Sequence, residues 1–308
     1  MTETMLPLAE RNFTPARLSS LSYLVSGLGV ALRSPSILLL LLSFALLLPL
    51  VVVVPVYQSS VSELGHVQAL PGQPPIDLPN SAPAWLWSEW QRADAEVFQA
   101  VASYLPWLVF FAAMWNLFVT AGWMRVGLAE QRRPTAREFF KGGLQSFLPF
   151  FRVWLIGVPV LATAAWAIWA TPGSWVMTLF LPEGQIDLAA SETTGHLALQ
   201  VRSLIFLSAL WNIEILLDLA RAFLLIGPGK SALKATWQGI KCFACHPLRI
   251  FTMMLGSFGL EFAWVAGVEF FRQAFDLPLG VLLVLLPLGR QALRGGRYVA
   301  LARFCHDD

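Results

Sequence analysis

Charged residues are scarce in this sequence. Asp, Glu, Lys and Arg together make up 13% of the 308 residues, whereas a soluble globular domain carries about 25%. Hydrophobic residues reach 56%, and the mean hydropathy is +0.63. The shortage of charge excludes a soluble domain with an ordinary solvated surface. It predicts a chain that exposes apolar side chains to lipid.

Cysteine is also rare, and the three that occur do not form a disulfide framework. Cys242, Cys245 and Cys305 fall in segments that we place in the cytoplasm, where thiols normally stay reduced. Cys242, Cys245 and His246 spell C-x-x-C-H, the attachment pattern of c-type haem, but haem is attached on the outer face of the membrane. With Cys305 and His306 they offer a zinc or redox site as an alternative. We favour thiols that fill helix packing and expect no cofactor and no metal.

Catalytic signatures are missing from the sequence. It contains no Walker A loop, no dinucleotide-binding fingerprint, no H-E-x-x-H and no G-x-S-x-G. His66 and His196 have no nucleophile near them in the sequence. Nothing therefore supports ATP hydrolysis or hydrolase chemistry, and we predict a protein that is not an enzyme.

Six apolar stretches are long enough to cross a bilayer. A span needs about 20 apolar residues in a helix, because backbone groups without hydrogen bonds are costly in hydrocarbon. The six stretches are residues 36–57, 98–126, 147–170, 197–226, 248–271 and 277–304. The sequence thus predicts an all-α transmembrane bundle of about six spans, with residues 1–308 forming a single integral membrane domain.

The distribution of basic residues predicts the orientation of these spans. Lys and Arg near span ends accumulate on the cytoplasmic side of a membrane. With both termini in the cytoplasm, only Arg92, Arg202 and Arg272 of the 21 basic residues fall outside. We therefore predict a multi-pass protein with both termini in the cytoplasm.

A recurring pattern predicts three repeats. Residues of the second and fourth spans match at one fixed offset: Trp115-Asn116 with Trp211-Asn212, Arg125 with Arg221, Thr135 with Ser231, and Gly143 with Gly239. Gly27 also precedes Pro35 by the spacing that separates Gly239 from Pro247. The predicted repeats are 15–126, 135–226 and 230–304. Each begins with an amphipathic helix at the inner interface, over residues 15–33, 135–147 and 230–245.

Charged side chains inside the predicted spans are the candidate functional residues, because they are rare and costly in a membrane. The candidate polar network comprises Asn212, Glu214, Asp218 and Arg221 of the fourth span and Arg290, Arg294 and Arg297 of the sixth. One interpretation is an ion-pair network that joins Asp218 or Glu214 to the arginines of the sixth span. The other is a proton relay or an anion path. Glu261, near the middle of the fifth span, has no evident partner and is the candidate titrating residue.

Part of the chain resembles a family of uncharacterised bacterial six-span membrane proteins, of the domain-of-unknown-function type. The resemblance is carried by Asp218-Leu219-Ala220-Arg221, by residues 232–239 and by His246-Pro247-Leu248-Arg249. In that family an Asp-x-Ala-Arg span end leads into a basic amphipathic helix and then into the next span. The resemblance covers about the C-terminal third. It implies a protein of the bacterial cytoplasmic (inner) membrane and implies no activity.

Two functions remain open. A non-enzymatic membrane scaffold or accessory subunit is favoured by the compensated charges; its partners would be the lipid bilayer and other membrane proteins, and not nucleic acid. The alternative is a transporter or channel with a path lined by Glu214, Asp218 and Glu261. It gains from Pro159, Pro172-Gly173 and Pro287, which we expect to interrupt spans. An enzyme that acts on lipid ranks third.

The predicted orientation can be checked with reporter fusions. Fusions after positions 143, 239 and 308 should report a cytoplasmic location, and fusions near positions 80 and 192 an external one, because the excess of Lys and Arg holds the first group of segments inside. A single fusion that reports the opposite side would contradict the six-span arrangement.

Overall fold

The computed structural model describes residues 19–64, 95–129, 134–170, 178, 192–227, 231–275 and 278–307. Within these residues the chain forms eight α-helices and no strand, which confirms the predicted all-α class. The helices are α1 (Ser20–Leu32), α2 (Pro35–Leu64), α3 (Ala95–Leu128), α4 (Ala136–Ala165), α5 (Glu192–Ile226), α6 (Ala232–Cys245), α7 (Pro247–Phe275) and α8 (Leu279–Asp307). A π-helical turn, Trp166–Ala170, continues α4.

Four of these helices are long and apolar enough to cross a membrane. They contain the segments Gln99–Leu128, Ala136–Trp169, Leu197–Ile226 and Pro247–Phe275. A fifth span results if α1 and the segment Pro35–Leu47, which meet at 82°, count as one broken span. The chain is therefore a helical protein with four to five candidate spans, and the four unbroken ones coincide with the second to fifth predicted stretches.

The sixth predicted stretch, 277–304, lies on α8, which does not meet the same criterion within the described residues. The helix is long enough, at 29 residues. Its hydropathy falls because Arg290, Arg294, Arg297 and Arg303 lie along its second half.

Three helices begin at a hydroxyl side chain that accepts a hydrogen bond from the backbone. Ser19 accepts from Ser22 N at the start of α1, Thr135 from Glu138 N at α4, and Ser231 from Lys234 N at α6. These caps satisfy amide groups that would otherwise lack partners in the first helical turn. At α4 the Glu138 side chain also accepts from Thr135 N, which completes a capping box.

Two of the three predicted amphipathic helices are separate helices, and one is continuous with a span. The first and third end before a span begins, because Pro35 and Pro247 start α2 and α7 and proline disfavours helical backbone at the preceding residue. Residues 15–18 of the first lie outside the described residues. The second prediction is wrong about its end: residues 135–147 do not form a separate helix but run on as α4. Relative to the N-cap residue, Phe151 occupies the position that Pro35 and Pro247 occupy in the other two segments. Because it is not a proline, the helix continues through it.

Each of these capped segments packs against a long helix at a glycine. A side chain at Gly143 would overlap the Phe118 ring of α3, and one at Gly239 would lie 2.9 Å from Ala220 N of α5. On α1, a side chain at Gly27 would overlap the carbonyl oxygen of Gly296 and lie 2.9 Å from Ala300 N, both on α8. The first described helix is thus held against the last one through backbone contact.

Polar contacts reinforce the packing of α1 against α8. The Tyr23 hydroxyl donates to Asp307 Oδ2 at 2.8 Å. Arg303 donates from Nη1 to Ser26 Oγ at 3.3 Å and from Nε to the Gly127 carbonyl oxygen of α3 at 3.0 Å. Side chains from α1, α3 and α8 therefore meet near the C-terminal end of α8.

The buried core concentrates at one end of the bundle. It is formed by the C-terminal parts of α3, α5 and α8, together with α1, the start of α2 and the N-terminal part of α4. Trp123 and Phe139 are fully buried and meet edge to face at 5.5 Å. Toward the other end, α3 and α7 expose large apolar side chains such as Trp107 and Phe270.

Two glycines on α1 provide a matched test of the contact between α1 and α8. Gly27→Ala should lower the free energy of unfolding by about 1–3 kcal/mol, because its methyl group would push α8 away. Gly29→Ala should leave it unchanged or raise it by up to about 1 kcal/mol, because no atom lies within 4 Å of that position and alanine favours helix. Thermal unfolding in detergent measures both. Equal effects at the two positions would contradict the contact.

Candidate functional site

Polar side chains from four helices converge where α8 packs against α3, α5 and α7. We call this set the polar junction. It consists of Asn116 on α3, Asp218 and Arg221 on α5, Ser257 and Glu261 on α7, and Arg294, Arg297 and Tyr298 on α8. The junction lies next to the packed core: five of its residues are buried, and Asn116, Glu261 and Arg294 are half-buried.

Asp218 and Arg221 form a buried ion pair within α5. Arg221 Nη1 donates to Asp218 Oδ1 at 2.5 Å, and the two residues are only 4% and 5% exposed. The pair follows the i, i+3 spacing that places two side chains on the same helix face. Our sequence hypothesis joined Asp218 or Glu214 to the arginines of the sixth span. The structure pairs Asp218 directly with Arg221 and places it within electrostatic reach of Arg297, whereas Glu214 and Arg290 are exposed.

Arg297 connects α8 to the neighbouring helices. It is 5% exposed, and its guanidinium carbon lies 5.1 Å from the ring centroids of Phe258 on α7 and Tyr298 on α8. Asp218 and Glu261 both attract it electrostatically. Stacking on aromatic rings and attraction to two carboxylates stabilise a guanidinium away from water. Arg297 therefore draws α5 and α7 toward α8.

Arg294 joins α8 to α3. Its Nη2 donates to Asn116 Oδ1 at 2.9 Å, and Glu261 attracts it electrostatically. Sequence reasoning included Asn212 and missed Asn116, although the Trp-Asn match between the second and fourth spans pointed to both. Asn212 instead donates to the Ser208 carbonyl oxygen one turn back on its own helix.

Several buried polar atoms of the junction have no hydrogen-bond partner in the structure. They are Arg221 Nε, Arg297 Nε, Ser257 Oγ and Glu261 Oε1, and the adjoining Trp123 Nε1 and Trp211 Nε1 share this property. In folded proteins about 90% or more of buried polar groups are paired with protein or with ordered water. Such a cluster of unpaired atoms therefore marks a place where water or a ligand would be held.

Glu261 is better placed than its sequence suggested. We expected no partner for it, but it lies within electrostatic reach of Arg294 and Arg297, one helix away. Ser257, fully buried on the same face one turn earlier, was not recognised from the sequence. A single serine among apolar residues does not by itself indicate a functional site, and the position of Ser257 became informative only once the neighbouring helix was known.

Besides Asn212, two members of the predicted network lie outside the junction. Glu214 precedes Asp218 by one turn of α5 but is exposed, and Arg290 precedes Arg294 by one turn of α8 and is also exposed. The structure thus brings together four of the seven predicted network residues, Asp218, Arg221, Arg294 and Arg297, and adds Glu261 to them.

The cysteine segment lies apart from these charges. Cys242 and Cys305 are buried in the apolar core, while Cys245 is exposed. The His246 ring meets the Phe304 ring edge to face at 6.3 Å. Among the described residues no group of three or more His, Cys, Asp or Glu side chains is arranged to hold a metal ion. Cys242 and Cys305 contribute to packing between helices.

A pair of substitutions on α5 tests the ion pair. Asp218→Asn should lower the free energy of unfolding by about 3–5 kcal/mol, because it leaves a buried guanidinium without its carboxylate. Glu214→Gln, one turn away and exposed, should change it by no more than about 0.5 kcal/mol. Thermal unfolding in detergent gives both values.

Charge exchange identifies the partner of Asp218. Exchanging Asp218 and Arg221 should recover part of the loss, since the pair stays on one helix face. Exchanging Asp218 with Arg290 should recover none, and recovery there would favour the pairing between spans that the sequence first suggested.

Comparison of the chain with protein-family models, with curated proteins and with solved structures gives no match. The resemblance of its C-terminal third to bacterial six-span proteins therefore stays a prediction. The function of the polar junction has to be inferred from its own geometry.

Proposed function

We propose that this chain is a non-enzymatic scaffold or accessory subunit of the bacterial inner membrane. The observation that carries the proposal is the use made of the intramembrane charges. Asp218 binds Arg221 on the same helix, Arg294 on α8 donates to Asn116 on α3, and Arg297 stacks on two aromatic rings. Side chains committed to contacts between helices act in holding the bundle together. An enzyme or a carrier needs such groups to face its substrate.

The cavity found elsewhere in the described chain fits this proposal. It has a volume of about 320 Å³ and lies between α7 and α8. It is lined by Ala263, Trp264, Gly267, Val268, Phe271, Phe275 and Leu285. These side chains offer neither charge nor catalytic chemistry, and they suit a lipid chain or an apolar surface of another membrane protein.

Six spans with both termini in the cytoplasm form part of the proposal. Residues 37–57 of α2 are almost wholly apolar, which suits a first span. The proposed sixth span, α8, is less apolar than the other spans because of its arginines. However, Arg297 is buried and Arg294 is half-buried within the protein. Charges that face the bundle interior are tolerated in a membrane helix.

Three related structural units support the predicted repeats. In each, a hydroxyl N-cap is followed at the same spacing by a packed glycine: Ser19 and Gly27, Thr135 and Gly143, Ser231 and Gly239. The glycine of the second unit packs on α3 and that of the third on α5, in each case the helix that comes just before it in the chain.

The first unit completes the series through the end of the chain. No span precedes α1 in the described residues, and Gly27 packs on α8 instead. In the proposed series α8 takes for α1 the place that α3 and α5 take for the second and third units. Units that pack on one another in this way suit a structural role.

The surface also suits a membrane partner. The α6 helix exposes Leu233, Trp237 and Ile240 on its apolar side, and Lys234 and Lys241 are exposed near them. An amphipathic helix of this kind lies in the inner interface, in contact with headgroups and with other membrane proteins. We propose the bilayer and other membrane proteins as partners, and no nucleic acid.

A transporter or channel is the second candidate, and one observation favours it. Glu261 Oε1 is buried without a hydrogen-bond partner, as expected for a carboxyl group that binds and releases a proton or an ion. The structural role of Glu261 is different, because it balances the charge of Arg294 and Arg297. The two candidates therefore assign different tasks to one residue.

Glu261→Gln separates these candidates. For a scaffold, the substitution should lower the melting temperature by several degrees, because two arginines lose a counter-charge, and proteoliposomes of the unaltered protein should show no proton or ion flux above empty vesicles. Glu269→Gln on the same helix is the control. Its carboxylate pairs with Arg272 on the exposed surface, so its loss should matter little.

The opposite result would favour transport. A flux in the unaltered protein that Glu261→Gln abolishes, with the melting temperature unchanged, would contradict the scaffold proposal.

A further inference from the structure

The charges of the polar junction do not balance. Three arginines, Arg221, Arg294 and Arg297, face two carboxylates, Asp218 and Glu261. Arg290 and Glu214 are exposed and lie outside this group. With every group ionised, the junction carries one positive charge in excess. An uncompensated charge away from water costs several kcal/mol, so a further negative charge would stabilise the junction strongly.

The unpaired polar atoms of the junction are mainly donors. Arg221 Nε and Arg297 Nε can only donate hydrogen bonds, and the Ser257 hydroxyl can do so. Trp123 Nε1 and Trp211 Nε1, on the adjoining helices, are also donors without partners. Glu261 Oε1 is the one atom of this set that can only accept, whereas the Ser257 hydroxyl can donate or accept. Donors therefore outnumber acceptors among the unpaired atoms identified in the described residues, and a species that accepts hydrogen bonds would pair more of them.

The unpaired atoms near Arg297 belong to neighbouring side chains. The Arg297 guanidinium lies 5.1 Å from the ring centroid of Phe258, the residue after Ser257. The Phe258 ring is itself 5.5 Å from the ring of Trp211 on α5. Donors from α5, α7 and α8 are thus grouped around one aromatic ring, and Arg297 and Ser257 are 5% and 1% exposed.

We propose that the polar junction binds one small monovalent inorganic anion, of the size and charge of chloride or nitrate, beside Arg297 and Ser257. The anion accepts hydrogen bonds from Arg297 Nε and the Ser257 hydroxyl. Its single negative charge cancels the excess positive charge. The site is separate from the scaffold proposal, because a structural protein and a carrier can each hold such an ion.

Two other occupants fit less well. Water can accept hydrogen bonds from the same donors, but it leaves the excess charge uncompensated. A divalent anion would reverse the sign of the imbalance and would bring two charges close to Asp218 and Glu261. A monovalent ion meets both requirements, and Glu261 weakens its binding without preventing it.

The experiment measures thermal unfolding of the purified full-length protein in lipid nanodiscs. Sodium chloride is compared with sodium gluconate at constant ionic strength, and sodium nitrate serves as a second probe. Because the anion binds the folded state, the melting temperature should rise by about 2–4 °C for each tenfold increase in chloride above its dissociation constant. Equal melting temperatures in chloride, nitrate and gluconate would overturn the proposal.

Substitutions locate the site. Ser257→Ala removes one donor with little change in volume and should weaken the apparent chloride affinity about tenfold. Arg297→Gln should abolish the chloride response; if this variant does not fold, Ser257→Ala alone decides. Glu261→Gln should tighten chloride binding, since it removes the repelling carboxylate. Arg290→Gln, which takes an exposed arginine from the same helix, is the matched control and should keep the normal response.

The signs of these changes distinguish the anion site from a general salt effect. A chloride response that survives Ser257→Ala unchanged, or that disappears equally in Arg290→Gln, would place the effect on the protein surface and overturn the proposal. Opposite shifts for Ser257→Ala and Glu261→Gln would support it.

Discussion

Arg297 lies on α8 with 5% of its surface exposed, inside a protein whose surroundings provide little water. A guanidinium in that position must find its stabilisation in other side chains. It finds it in two carboxylates and two aromatic rings contributed by α5, α7 and α8 itself. The requirement fixes how these helices are rotated about their axes, since any other rotation would expose the charge to lipid.

The glycines that flank this arginine extend the same constraint to the rest of the bundle. A side chain at Gly295 would lie 2.7 Å from the Trp123 ring of α3, and one at Gly296 would lie 2.9 Å from the Cα atom of Leu28 on α1. In the segment Arg294-Gly295-Gly296-Arg297, the two glycines therefore allow close backbone contact, and the two flanking arginines interact with polar and aromatic side chains of neighbouring helices. This explains how one helix packs against α1, α2, α3, α5 and α7. It also explains why α1 and α8, far apart in sequence, pack closely together.

Hydropathy and charge in the sequence were sufficient to predict the helices and to place α5 and α8 next to each other, because both carry charges at a similar depth. They were insufficient for the rotation of each helix. Glu214 and Asp218 are one turn apart and were treated as one face, yet Glu214 is exposed and Asp218 is buried. The extent of burial changes along α5: residues 217–222, where α6 packs at Ala220, are buried on every face, whereas one side of the preceding turn, with Glu214, is exposed. No pattern within α5 carries that information.

Other features were present in the sequence and were overlooked. The i, i+3 spacing of Asp218 and Arg221 permits a pair within α5, but attention to the basic residues of the sixth span favoured a partner on another helix. Similarly, Phe151 takes the place that proline occupies at the start of α2 and α7, so the continuity of α4 could have been predicted. The burial of Ser257 could not, because a single serine in an apolar segment gives no sign of which helices will pack around it.

The excess of one positive charge in the polar junction bears on how this helical bundle is stabilised. Replacing one arginine by an apolar residue would balance the charges directly, and buried ion pairs are often no more stable than apolar packing. Three guanidinium groups nevertheless occur beside two carboxylates, together with unpaired donors from the same helices. Without a bound ion, the surplus arginine and the unpaired donors around it would only destabilise the folded state. A bound anion turns both into stabilising contacts, and it does so only when α5, α7 and α8 are assembled, because each helix supplies part of the donor set. The ion would then bind to the complete bundle and not to its separate helices, and so would favour the correctly assembled protein.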